Sequence, residues 1–157
     1  MKPCSPEAIP FGAVVSLINR SKFVFLNDRL NPLGLSAGQF PVLMLLAREQ
    51  NIKQDTLVRH YHLDKGTIAR AARKLEDGGY IRRVIDTGNR RAVRLFLTEK
   101  GERAVPLLQS INREWETCMS TGLSEGEMTT VRALMHRVAQ NCFLILDKNG
   151  DPGHDRE

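Results

Sequence analysis

Residues 63–97 read LDKGTIARAARKLEDGGYIRRVIDTGNRRAVRLFL. Asp64 suits a helix N-cap, with Thr67 in the first turn. Beyond it Ile68, Ala71, Ala72 and Leu75 recur at helical steps and form one narrow apolar stripe. Lys65, Thr67, Arg70, Arg73 and Lys74 fall on the opposite side, and Gly78-Gly79 stops the helix. Two alanines on the buried side allow the close crossing that a helix-turn-helix pair requires. Tyr80–Ile85 and Ala92–Leu97 are rich in β-branched and aromatic residues. Gly88-Asn89 between them supplies turn chemistry, so the two runs read as a β-hairpin. A helix with a basic outer face beside a basic hairpin can fill a major groove and lean on the flanking backbone.

Toward the N-terminus, residues 8–30 are dense in apolar side chains (Ile9, Phe11, Val14, Val15, Leu17, Ile18, Phe23, Phe25, Leu26, Leu30) that spill around the helix. This predicts a helix buried on more than one side and ended by Asn31-Pro32 and Gly34. Ser36–Gln39 has the spacing of a capping box and opens a helix carrying Phe40, Val42, Leu43, Leu45 and Leu46. Asn51-Ile52-Lys53 is a short extended connection. Gln54–Tyr61 is a brief helix anchored by Leu57, and His62-Leu63 is a turn.

Toward the C-terminus, Thr98 caps a long helix to about Thr121 with Ala104, Leu107, Leu108, Ile111, Trp115 and Cys118 on one face. Ser124–Glu127 is a second capping box. In the helix that follows, Met128, Val131, Met135, Val138, Cys142 and Ile145 step as a short heptad seam suited to packing on a partner. The expected fold is mostly α with a small β-hairpin wing. It is a single domain over 1–147, with a winged helix-turn-helix core at 35–98, dimerisation helices at 8–31 and 99–147, and a flexible tail at 148–157.

The 157 residues carry a net charge of +5, and its location matters more than its size. Lys53–Arg103 holds 13 lysines and arginines against 7 acids, while the remainder is close to neutral. Such an excess fits a polyanion-binding face on a neutral scaffold, although a basic solvated surface has the same composition. The three cysteines, Cys4, Cys118 and Cys142, form no C-x-x-C and no pairable framework, as expected of reduced thiols in a cytoplasmic protein. Cys118 and Cys142 fall on apolar stripes and read as small buried hydrophobes. The first residues do not read as a signal peptide, and no apolar run approaches the roughly 18 residues of a membrane span. The four histidines lack metal-ligand spacing, so no metal is expected. No nucleophile–base pair, phosphate-binding glycine loop or paired-carboxylate site stands out, so neither a cofactor nor an enzymatic activity is expected.

Over residues 8–145 the sequence resembles the MarR family of transcriptional regulators. The resemblance is carried by Leu35-Ser36 with Gln39-Phe40 and Leu43, by Leu63-Asp64-Lys65 with Thr67, and by Leu75-Glu76 with Gly79 and Arg83. It continues through Asp86 with Asn89-Arg90-Arg91, and through Leu97-Thr98-Glu99-Lys100-Gly101. Two positions depart from the family pattern: Asn89 replaces the second aspartate of the wing, and Gly66 replaces a frequent serine. The resemblance implies a homodimer that reads a palindromic operator in double-stranded DNA, most simply as a repressor released by a small aromatic anion.

The expected DNA contacts are Gln54, Lys65, Gly66, Thr67, Arg70, Arg73, Lys74, Asn89, Arg90 and Arg91. Arg70 sits mid-face, where it can read a guanine edge. Lys65 and Lys74 suit phosphates, and Gln54 suits a phosphate at the start of its helix. Arg83 is open between a phosphate and a carboxylate such as Asp86. For an effector the candidates are Arg20, Lys22, Phe23, Phe40, Tyr61 and Trp115, with ordinary core packing as the alternative for the aromatics. The competing functions are an architectural DNA-binding protein without an effector and a thiol-based redox-responsive regulator.

Overall fold

The computed structural model describes residues 9–61, 65–90 and 92–148. Its helices are α1 (Phe11–Leu30), α2 (Phe40–Arg48), α3 (Gln54–Tyr61), α4 (Lys65–Asp77), α5 (Glu99–Ser120) and α6 (Glu125–Lys148), with a 3₁₀ turn at Asn31–Leu33. Its strands are β1 (Ile52–Lys53), β2 (Ile81–Ile85) and β3 (Val93–Leu97). The chain divides into two compact units, Met1–Trp115 and Glu116–Glu157, with the boundary inside α5. The turn expected at His62-Leu63 and the Asp64 cap lie outside the described residues, as do Arg91 and, beyond Lys148, the tail.

In the first unit the core is built where the apolar periodicities of several elements meet. Leu30, Leu43, Leu46, Leu57, Ile68, Leu75, Leu95 and Leu108 are fully buried. The α4 stripe is buried as its spacing predicts, with Ala72 and Leu75 at 0 % exposure, and α4 packs on α2, α3 and β2. Burying each leucine of this kind contributes about 2 kcal/mol, which fixes which face of α4 is left for solvent.

The C-terminus of α4 is closed by the backbone. The Gly79 amide donates to the Glu76 carbonyl at 2.8 Å and the Tyr80 amide to the Leu75 carbonyl at 2.9 Å, with Gly79 at φ +73°. This is a Schellman stop, and the left-handed position explains the glycine. The same corner takes the start of α5. Thr98 accepts the Gly101 amide at 3.1 Å, donates to the Gly79 carbonyl at 2.6 Å, and sends its own amide to the Tyr80 carbonyl. Lys100 donates to the Gly78 carbonyl at 2.7 Å and lies over the Tyr80 ring.

The sheet has three strands rather than a bare hairpin. Its order is β1-β3-β2, antiparallel throughout, with Ile81 opposite Leu97 and Ile85 opposite Val93. The extended connection at residues 52–53 is taken up as the third strand, pairing Ile52 with Leu95 and Lys53 with Arg94.

Two expectations for the N-terminal half are corrected. α1 is not buried on several sides: Leu26 and Leu30 are buried and Val14, Val15 and Phe25 half-buried, while Phe11, Leu17, Phe23 and Val24 are 46–64 % exposed. Apolar density around the helix therefore exceeds what this chain covers. The Ser36 box forms only in part. Gln39 reaches back to accept the Ser36 amide at 2.8 Å, but the serine hydroxyl donates to the same oxygen instead of accepting an amide. Residues 37–39 form a turn, and α2 starts at Phe40 with Pro41 in its first turn, where a missing N–H costs nothing.

In the second unit the Ser124 box is complete. Glu127 accepts both the amide and the hydroxyl of Ser124 at 2.7 Å, and the Glu127 amide donates back to Ser124 Oγ at 3.3 Å. These donors hold the Glu127 carboxyl below its usual pKa, the backbone amide having the larger effect. Along α6, Met128 is buried and Val138 half-buried, but Val131, Leu134, Met135 and Phe143 are exposed. The Ile145 side chain lies outside the described residues. Cys118 and Cys142 are exposed too, which corrects their reading as buried hydrophobes: the stripes they lie on are open in this chain.

Candidate nucleic-acid interface

α4 presents Lys65, Arg70, Arg73 and Lys74 to solvent, with Gly66 and Thr67 half-buried at its start. The opposite face is sunk in the core, so these cations share one side by construction. Arg70 donates from NH2 to Thr67 Oγ1 at 2.9 Å, one turn earlier, which pre-orients the guanidinium along the helix surface. Gln54 opens α3 immediately after β1. Its amide oxygen is buried without a hydrogen-bond partner. A phosphate only accepts, so contact at this point falls to the amide nitrogen or to the first backbone amides of α3.

The wing tip is closed by its own backbone. The Asp86 amide donates to the Ala92 carbonyl at 2.9 Å, the Ala92 amide to the Asn89 carbonyl at 2.8 Å, and the Gly88 amide to Asp86 Oδ1 at 2.8 Å. Asn89 and Arg90 stand exposed on this loop.

Asp86 itself is 8 % exposed and is gripped by Arg94, whose Nε donates to Oδ2 at 2.6 Å, with Lys53 Nζ at 3.8 Å. The Arg94 hydrogen bond, then the Gly88 amide, hold the Asp86 carboxyl below the usual aspartate range. A depressed native pKa stabilises the fold fully above the unfolded value of about 3.9, and that stabilisation is lost as pH falls through the native value. Asp86→Asn is therefore expected to be less stable than wild type at neutral pH and to converge with it on acidification. Thermal melts of both proteins from pH 7 down to pH 3 check this, and a constant gap would contradict it.

Arg83 resolves as a carboxylate partner, with Glu76 rather than Asp86. Its backbone amide donates to Glu76 Oε1 at 3.2 Å and its guanidinium lies 3.6 Å from Oε2. This pins β2 to the end of α4. Arg94, Lys53 and Asn51 were missed from sequence, because their convergence depends on the β1–β3 register. Arg82, stacked 4.2 Å over Phe96 across the β2–β3 pair, is a further exposed cation of the sheet.

The effector candidates that the structure describes are spread over α1, the start of α2 and α5. Arg20 and Phe23 are exposed on α1, Lys22 is half-buried, and Phe40 is 4 % exposed within the core. Trp115 packs against Phe25 at 5.5 Å between ring centroids, and the Tyr61 side chain lies outside the described residues. Beside Phe25, Arg29 forms a two-nitrogen contact with Glu114 that ties α1 to α5. A cleft of about 430 Å³ opens elsewhere, between the 31–39 loop and Lys74 and Asp77 of α4.

A profile of the MarR family matches residues 35–93. The transcriptional regulator YybA of Bacillus subtilis (strain 168), of the helix-turn-helix type, is 32 % identical over 127 residues, which span 81 % of this chain and 85 % of that protein. The chain belongs to the MarR family. A solved structure of MarR superposes with a TM-score of 0.81 at 35 % identity, covering 93 % of this chain and 99 % of that one. A MarR-family regulator from Listeria monocytogenes, solved with a 26-mer DNA, superposes with a TM-score of 0.81 at 27 % identity, covering 95 % and 99 %. MarR proteins are DNA-binding transcriptional regulators and not enzymes, and the winged helix-turn-helix described above is their fold.

Proposed function

We propose that this MarR-family protein is a homodimeric repressor of a palindromic operator. The observation that carries the reading is the cationic face of α4, left exposed because its other face is core, beside a wing whose tip exposes Arg90. In this reading α4 lies in the major groove, with Thr67 and Arg70 at base edges and Lys65, Arg73 and Lys74 on phosphates, and Gly66 lets the helix start approach closely. Gln54 meets the adjoining backbone, and Asn89, Arg90 and Arg91 reach the minor groove or its phosphates.

A second copy of the chain supplies the dyad. The uncovered apolar side chains of α1 and of α6 are more surface than a monomer ordinarily leaves in water, and an isologous contact buries the same residues twice. Sedimentation at micromolar concentration tests this: a dimer is expected, and a monomer that binds DNA without dimerising would contradict it.

Release by a small aromatic anion is supported by the family likeness. Arg20 and Lys22 would meet the carboxylate and Phe23 and Trp115 the ring. Operator affinity measured with and without a panel of aromatic acids tests it. Ligand-dependent weakening is expected, and indifference to every acid favours the architectural reading.

Arg91→Ala is expected to weaken binding to all sequences alike and to lower the slope of log affinity against log salt by about one unit, since a phosphate contact releases about one counterion. An unchanged slope removes Arg91 from the contacts.

A further inference from the structure

We infer that Arg94 is a positioning residue for the wing, clamping its tip to the segment that opens α3 and thereby setting where Arg90 is presented relative to α4. The inference deepens, and rests on, the proposal that the wing contacts DNA.

Arg94 occupies the central strand, opposite Val84 on β2 and Lys53 on β1, and its side chain is 32 % exposed. Its donors are committed in two directions. Nε donates to Asp86 Oδ2 at 2.6 Å, at the base of the wing tip. NH1 donates to Asn51 Oδ1 at 3.1 Å and to the Asn51 carbonyl at 3.4 Å, on the far side of the sheet. Asn51 is the one non-glycine residue at positive φ, +65°, among the described residues. That conformation turns both of its oxygens toward one guanidinium, and asparagine tolerates it better than most residues.

At the other end, Asp86 uses its second oxygen to hold the Gly88 amide at 2.8 Å, inside the loop that carries Arg90. A continuous series of polar contacts therefore runs Asn51, Arg94, Asp86, Gly88, with Lys53 alongside Asp86 and Gln54 next in sequence. It joins the start of α3 to the wing tip through one planar fork. A lysine at 94 would keep the charge but could not hold both ends with fixed geometry. With Nε and NH1 bonded to Asp86 and Asn51, Arg94 acts on DNA through the loop it braces.

The test uses the full chain and a duplex selected by the wild type, with Arg94→Ala, Arg94→Lys, Arg90→Ala and the Arg90/Arg94 double alanine variant. Arg94→Ala is expected to weaken binding about tenfold, as when one charge-assisted contact loses its orientation. Arg94→Lys is expected to fall between it and wild type, which keeps the test open if the alanine variant does not fold. The double variant is expected to bind no more weakly than the weaker single, because both act through the same tip. Without DNA, hydrogen exchange at the Gly88 amide is expected to accelerate in Arg94→Ala while the amides of α4 stay protected. Wild-type affinity in Arg94→Ala, additive losses in the double variant, or unaltered Gly88 exchange would each overturn this inference while leaving DNA binding intact. A wild type that binds no duplex overturns both.

Discussion

Gly101→Ala is expected to melt roughly 6–12 °C below wild type, the shift that about 3 kcal/mol produces in a domain of this size. A Cβ on Gly101 would lie 2.2 Å from the Tyr80 carbonyl oxygen and 3.1 Å from a Leu97 methyl. The first of these is backbone that already accepts the Thr98 amide, so no side-chain rotation relieves the clash. The corner where α4 ends, β2 begins and α5 starts would have to open, and it is held by Thr98, Lys100 and the Gly79 turn together. Alanine's better helix propensity returns under about 1 kcal/mol, too little to offset the overlap. Thermal denaturation checks this, and a melting point equal to wild type would show that the corner yields freely.

Arg70→Ala is expected to flatten base preference at one position in each half-site while leaving the melting temperature unchanged. The side chain is on the solvent side of α4, away from the Ile68–Leu75 stripe, and it donates to Thr67 one turn earlier. Truncation therefore removes nothing from the core. A bidentate arginine–guanine contact discriminates by roughly 1–3 kcal/mol, about tenfold to a hundredfold between the right and wrong base. Binding to a set of operator variants substituted one position at a time reads this directly. A uniform loss at every position would make Arg70 a phosphate contact.

What was legible in the sequence is what local periodicity and end signals dictate. The α4 stripe, the Gly78-Gly79 stop, the paired strands and the Ser124 box all depend on residues a few positions apart, and each appears where its spacing puts it. The Arg94 network was not legible, because Asn51 and Asp86 meet only once β1 has joined β3. Arg83 illustrates the same limit: a carboxylate partner was one reading, but Glu76 rather than the nearer Asp86 supplies it, through packing of β2 on α4.

Burial was misread where the chain does not cover itself. The apolar density of α1 and the stripes holding Cys118 and Cys142 look like core in a linear pattern, and they are surface in a single copy. The Ser36 turn departs from its motif because residues 37–39 turn before α2 begins, leaving the serine hydroxyl to bond Gln39 rather than a helix amide. Phe40, a candidate for an effector site, is placed in the core by its position at the start of the apolar α2.

The central claim, that two copies of α4 and its wing read a symmetric operator, is tested most directly by selecting bound duplexes from a random DNA pool. The account predicts recovery of an inverted repeat whose half-site centres lie about one helical turn, roughly 10 base pairs, apart. Recovery of sequences without two-fold symmetry, or no enrichment over the starting pool, would contradict it.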